Sequence, residues 1–468
     1  MENIRRSFPR EEFSRMRKLC ALPAALLFAL VLTGQLAAQS PAPVTLVKAG
    51  RLLDPRTGNV LSPAAVLIEN GKIKEVGPPL KVQADAPAGV QTIDLGSATL
   101  LPGLIDSHTH LLLDVTVPVE AEIARRPNGI FAPGLLLAIT MSPSERVLRG
   151  AQSAREDLES GFTTVRNLGH SGIDGDAALR DAINDGRVPG PRILAAGRKL
   201  AAQEGYIQNL NPALATPIVQ QEFLQFAGPD QARQAVRANT FYNVDVIKVA
   251  IEDDTTQAEM TAIVEEAHRQ NLKVAVHAFT PPNIQIALDA GADSIEHGNG
   301  VTDEQLKIMR EKGIFFDLTP TFFDGFWSKI HETITESPAL RSANAAGDER
   351  SRRRAAALVQ RILKSGVKYS AGSDMCWFYP EKTRGQASAA MFTALQHTGM
   401  PSLDILRAVT VNAAEMLGWQ DRVGAVEPGK FADLVAVASD PVVDISELER
   451  VRFVMKGGQV VRNDFASH

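Results

Sequence analysis

The alternation of apolar and polar positions divides the chain into two rhythms. Near the start stand VTLVKAGRLLD (44–54) and AAVLIENGKIKEVG (64–77), where Asn70-Gly71 between alternating apolar residues predicts a two-residue hairpin turn. The same style returns in ADLVAVASD (432–440) and VRFVMKGGQVVRN (451–463), with Gly457-Gly458 as the turn. Both ends are therefore expected to join into one small β domain.

Between them the period changes. Short apolar runs, TLLPGLIDSHTH (99–110), FTTVRNLG (162–169), RILAAG (192–197), VIKVAI (246–251), KVAVHAF (273–279), SIEHG (294–298), IFFDLTPT (314–321) and KYSAGSD (368–374), are separated by helical patterns such as AEMTAIVEEAHRQN and AAALVQRILKSG. Eight strand–helix repeats predict an α/β fold built as a (β/α)8 TIM-like barrel, with its site at the C-terminal ends of the strands. An open doubly wound sheet is the alternative. The expected organisation is a signal peptide at 1–38, β domain at 43–98, barrel at 99–420, and the rest of the β domain at 421–463.

Composition narrows the class. The chain has 468 residues, 44% hydrophobic and 22% charged, with net charge -5, and no basic run in its body could track a phosphate backbone. No nucleic acid partner is expected. Arg15, Arg17 and Lys18 precede the apolar stretch Ala21 to Leu32, and Ala37, Ala38 and Ser40 follow it, the order of a secretory signal. That core is too short for a stable membrane span. Met16 is read as the true start, and the mature protein as secreted or periplasmic. Its one remaining cysteine, Cys376, has no internal disulfide partner once Cys20 leaves.

Six polar residues mark the strands of the barrel. His108 and His110 end the first, Lys248 the fourth, His277 the fifth, His297 the sixth and Asp374 the eighth. Positions i and i+2 share a face, so His108 and His110 can grip one ion together. Taken singly, each histidine reads as structural, Lys248 as a strand-edge cation, and Asp374 as a helix cap. Their joint placement on one rim reads as a metal site with an open position, the arrangement of catalysis rather than of structure.

This ordered set, with VTVNAAEMLG (409–418) and VGAVEPGKFADLVAV (423–437), resembles the amidohydrolase superfamily over nearly the whole mature chain. FTTVRNLGHSG and ALDAGADSIEHG look like its imidazolonepropionase-like or Xaa-Pro dipeptidase-like branch, which includes metallo-carboxypeptidases and ochratoxin-hydrolysing amidases. The resemblance implies two divalent metal ions, zinc foremost, although manganese, cobalt and iron suit the same ligands. One takes His108, His110 and Asp374; the other takes His277 and His297; Lys248, carboxylated by carbon dioxide to a carbamate, bridges them. It implies attack by a metal-bridging hydroxide with Asp374 as proton shuttle.

The expected activity is hydrolysis of a peptide or N-acyl amino acid amide, releasing a C-terminal amino acid. A lactonase or esterase on the same site and a non-catalytic binding barrel are the alternatives. A homo-oligomer is expected.

Further candidates frame the pocket. His170 on the rim can polarise a carbonyl or bind a carboxylate, whereas Tyr242 packs beneath the rim or touches substrate. Arg166 and Asp106 suit support of the ligands. Cys376 reads as packing. Loops carrying Tyr206 and, after the seventh strand, Phe322, Phe323, Phe326 and Trp327 are expected to wall the pocket and favour a bulky acyl group. Two departures from relatives stand beside it: Glu204-Gly205-Tyr206 in place of a Gly-Gly-His element, and Phe279-Thr280-Pro281-Pro282 after His277.

Overall fold

The computed structural model describes residues 44–113, 115–116, 138–203, 212–251, 254–320, 338–378 and 381–466. The signal peptide, Tyr206, Phe322, Phe323, Phe326 and Trp327 lie outside the described residues. Among those described, no helix is long and apolar enough to cross a membrane.

The middle of the chain is α/β, with every strand of its two larger sheets parallel. One sheet has the order Arg192–Ala195, Phe162–Asn167, Leu104–Thr109; the other runs Phe223–Phe226, Lys199–Ala202, Val246–Ala250, Lys273–Ala278, Ser294–His297, Phe315–Leu318, Tyr369–Ala371. The strands are buried on both faces, as helices packed outside a parallel sheet require. The two sheets are hydrogen-bonded to each other in two places. Thr109 bridges Met375, Asp374 N–H donates to His108 O at 2.6 Å, and Asp245 N–H donates to Ala195 O at 2.7 Å.

Helices begin where side chains can hold their free N–H groups. Thr256 with Glu259 and Thr302 with Gln305 form capping boxes on Gln257–Arg269 and Asp303–Lys312, and Gly291 and Gly313 close helices in the left-handed conformation. These caps set where each helix starts its return across the sheet.

The two ends of the chain do share a sheet. Leu434–Val437 pairs antiparallel with Thr99–Pro102, within the order Gln459–Asn463, Phe453–Lys456, Leu434–Val437, Thr99–Pro102, Arg51–Leu53, Val60–Leu61. The hairpin at Asn70-Gly71 forms as expected, with φ of 56° and 73°.

Two strand expectations need correction. The run TLLPGLIDSHTH is two strands in two sheets, because the chain turns at Gly103, where a Cβ would stand 2.0 Å from Thr163 Oγ1. The stretch carrying Tyr206 (201–223), expected as a loop, begins and ends in two further strands, Lys199–Ala202 and Phe223–Phe226.

Candidate metal centre

The parallel strands deliver their polar residues to one region. His108 Nε2 lies 3.4 Å and His110 Nε2 3.2 Å from Asp374 Oδ1, and His297 Nδ1 lies 3.7 Å from Asp374 Oδ2. The His277 and His297 rings are 4.5 Å apart, and those of His108 and His297 4.9 Å. His108, His297 and Asp374 each offer a ligand atom within 4.8 Å of the others. Lys248 is fully buried, and among the described residues its Nζ has no hydrogen-bond partner.

Local backbone geometry aims these side chains. His297 (φ 68°), Asp374 (φ 49°) and His170 (φ 58°) all occupy the left-handed region, an unfavourable conformation that marks sites where position outweighs strain. Gly372 lets the last strand approach the first, since a Cβ there would lie 2.2 Å from His108 N. Gly372→Ala is expected to displace the His108 backbone, costing about 1–3 kcal/mol of stability and weakening metal binding roughly 10-fold or more. Thermal denaturation and a metal titration measure both.

The electrostatics keep the ligands in metal-binding form. Burial, reinforced chiefly by the Lys248 or Lys199 cation, holds His108, His110 and His277 well below the usual imidazole range; for His297 the neighbouring His277 is the larger helper. Each stays neutral with a lone pair to offer. Burial likewise drives the Lys248 amine down to about 8, with Glu296 opposing, and lifts Asp374 to about 7 against the pull of Lys248 and Lys199.

Supporting groups fix the tautomers. His108 Nδ1–H donates to Glu296 Oε2 at 2.8 Å, and His110 Nδ1–H to Gly169 O at 3.1 Å, so both Nε2 atoms face Asp374. Glu296 is itself held by Arg166, whose guanidinium reaches both its oxygens at 2.9 Å, Asp317 Oδ2 at 3.0 Å and Ser107 O at 2.6 Å. Asp106 touches no ligand side chain; it accepts His108 N–H at 3.1 Å and Ser373 Oγ–H at 2.6 Å, tying the first strand to the loop before Asp374. Arg384 donates to the carbonyls of His110, Leu113 and Met375, clamping both ligand-bearing segments.

Glu296, Asp317, Arg384 and Lys199 were not among the residues singled out from sequence, although Glu296 and Asp317 are visible as lone acids within short apolar strands. Phe279, noted only as a departure, meets the His277 ring edge-to-face at 4.5 Å and stacks on that of His297 at 5.2 Å, placing an aromatic ring beside the site. His170 is buried on the rim with its ring 5.2 Å from that of His110. Tyr242 precedes Val246–Ala250, at the strand end opposite the rim, half-buried against Phe241, a position that suits packing beneath the rim rather than substrate contact. Cys376 is buried, as a packing residue would be.

Residues 99–461 match the Amidohydrolase family. The chain belongs to this family. As a whole, this amidohydrolase is 28% identical over 465 residues to the ochratoxinase of Aspergillus niger, an alignment covering 91% of this chain and 88% of that one. Its fold is similar to that of a Xaa-Pro dipeptidase with methionine bound in the active site (TM-score 0.72, 27% identity, 90% of this chain and 100% of that one). It is also similar to a prolidase complexed with N-methylphosphonate-L-proline (TM-score 0.73, 26% identity, 90% and 100%). The amidohydrolase is a hydrolase acting on amide bonds.

Proposed function

We propose that this enzyme is a binuclear metal-dependent hydrolase that releases a C-terminal amino acid from a dipeptide or N-acyl amino acid. The observation that carries the reading is the buried convergence of neutral imidazoles and Asp374 beside a buried lysine whose Nζ has no hydrogen-bond partner among the described residues. An isolated buried amine is costly unless it is neutralised or bonded. The donor set of imidazole and carboxylate suits zinc. The residues present therefore fit a two-ion site, with His108, His110 and Asp374 holding one ion, His277 and His297 the other, and carboxylated Lys248 between them.

The carbamate follows from the amine. With its pKa near 8, a useful fraction of Lys248 is neutral at physiological pH; its lone pair adds to the carbon of carbon dioxide and one proton leaves, giving an anion in place of a buried cation. The strand order supports closure of eight parallel strands into a (β/α)8 barrel, since the first strand meets the last through Thr109 and Met375.

Divalent ions held here supply Lewis acidity toward the scissile carbonyl and lower the pKa of a water. The chain's own residues do the rest. Asp374 takes a proton from the attacking water on a carboxylate oxygen and returns it to the leaving nitrogen, without which amide cleavage stalls. Phe279 presents an aromatic wall to the acyl side. The amino acid leaving group is carried over from the dipeptidase and prolidase neighbours, whose sites hold methionine and an L-proline phosphonate.

Metal removal tests the reading. Elemental analysis should find two equivalents of divalent metal, a chelator should abolish amide hydrolysis, and zinc should restore it; one equivalent, or chelator-resistant turnover, contradicts the account. Labelled bicarbonate should add a carbamate carbon signal that Lys248→Met lacks. We also propose that the enzyme acts outside the cytoplasm, which N-terminal sequencing of the mature protein checks.

A further inference from the structure

The converging imidazoles differ in what stands behind them. His108 Nδ1–H donates to Glu296 Oε2 at 2.8 Å, a bond between two fully buried groups. His110 Nδ1–H donates to the neutral carbonyl of Gly169 at 3.1 Å, and His297 Nδ1 lies 2.9 Å from the neutral hydroxyl of Thr319. A hydrogen bond to a carboxylate is roughly twice as strong as one between neutral groups, and it raises the basicity of the far ring nitrogen.

Five strands hold Glu296 in place as an anion. Ser294 Oγ–H donates to Oε1, and the Arg166 guanidinium donates to both oxygens. The same guanidinium is fixed by Ser107 O and Asp317 Oδ2, while Asp317 Oδ1 accepts the hydroxyls of Ser107 and Ser370 at 2.6 Å each. These residues come from Leu104–Thr109, Phe162–Asn167, Ser294–His297, Phe315–Leu318 and Tyr369–Ala371. Such a buried ionic layer carries a desolvation cost that apolar side chains of the same volume would avoid. Glu296 is the member of the layer that hydrogen-bonds to a ligand ring.

We propose that Glu296, acting through His108, is a positioning residue that makes the first ion the tighter of the two, so that the site fills in a fixed order. The inference rests on the two-ion reading and adds how that site loads. Apart from the shared Lys248 carbamate, the first ion has an anionic ligand of its own in Asp374 and an anion-backed imidazole in His108. The second ion's own ligands are the imidazoles of His277 and His297. Glu296 stays outside the coordination sphere, because Arg166, Ser294 and His108 take up its two oxygens.

The test starts from the two-metal enzyme, equilibrated with chelator-buffered zinc at falling free concentration while bound zinc is counted. Wild type should release its ions in two steps with a plateau at one equivalent. Nitrogen-15 spectra of labelled histidine at the plateau should keep His108 and His110 in the metal-bound state. Glu296→Gln, of the same size but uncharged, should weaken the tighter step about 10- to 100-fold and the other step less. Where that variant does not fold, Glu296→Asp, whose shorter chain withdraws the carboxylate from Nδ1, should show the same selective loss. Thr319→Val is the counterpart and should move the weaker step instead. Simultaneous release of both ions in the wild type, retention by His277 and His297 at the plateau, or an unchanged tighter step in the variant overturns the inference and leaves the two-ion reading standing. Equal weakening of both steps also overturns it, since a loss of packing would do that. If the wild type never holds more than one ion, the two-ion reading falls, and undiminished affinity for that ion in Glu296→Gln overturns the role of Glu296 as well.

Discussion

Asp374→Asn is expected to lower amide hydrolysis by about 10²- to 10⁴-fold, the range lost with a general acid–base group, while a fraction of the metal remains bound. The amide keeps the size of the carboxylate and one oxygen, so His108 and His110 can still hold their ion with it, but it cannot accept the proton from water. Steady-state kinetics with metal analysis on the same preparation separates the two effects. Loss of activity in step with loss of metal would reduce Asp374 to a ligand; wild-type turnover would remove it from the reaction.

The second large effect is on stability. Arg166→Met leaves Glu296 and Asp317 facing each other without the guanidinium they share, an uncompensated buried charge expected to cost about 3–5 kcal/mol. The pH dependence has a definite sign. Burial raises the Glu296 pKa, but Arg166 and Lys248 outweigh it and bring the group to about 2, below its usual 4.5, whereas burial and Glu296 push Asp317 up. A depressed carboxylate contributes stability that is present above pH 4.5 and lost as the pH falls toward 2. The gap between wild type and Arg166→Met should therefore be widest near neutrality and narrow below pH 4.5. Urea denaturation at several pH values reads it; a constant gap would mean that Arg166 contributes packing rather than charge.

Much of the site was legible because its signals are local. His108 and His110 stand two apart in one strand, Asn70-Gly71 specifies its turn without help from elsewhere, and Lys248 is conspicuous as a charge in an apolar run. What stayed hidden depends on distant partners. Arg166 meets Glu296 and Asp317 across 130 and 151 residues of sequence, and no spacing rule joins them. Lys199 lacks the signal of Lys248: it follows Gly197 and Arg198 instead of lying inside an apolar run, so the strand that buries it went unseen. The sheet change at Gly103 was invisible for the opposite reason: apolar residues continue on both sides, and only Thr163, contributed by another strand, explains why a glycine must stand there.

The most direct measurement of the central claim is a turnover screen of the enzyme, loaded with two metals, against dipeptides and N-acyl amino acids varied at both ends. The account predicts hydrolysis that releases the C-terminal amino acid, strongest for bulky acyl groups. No hydrolysis anywhere in that library, with both metals bound, would contradict it.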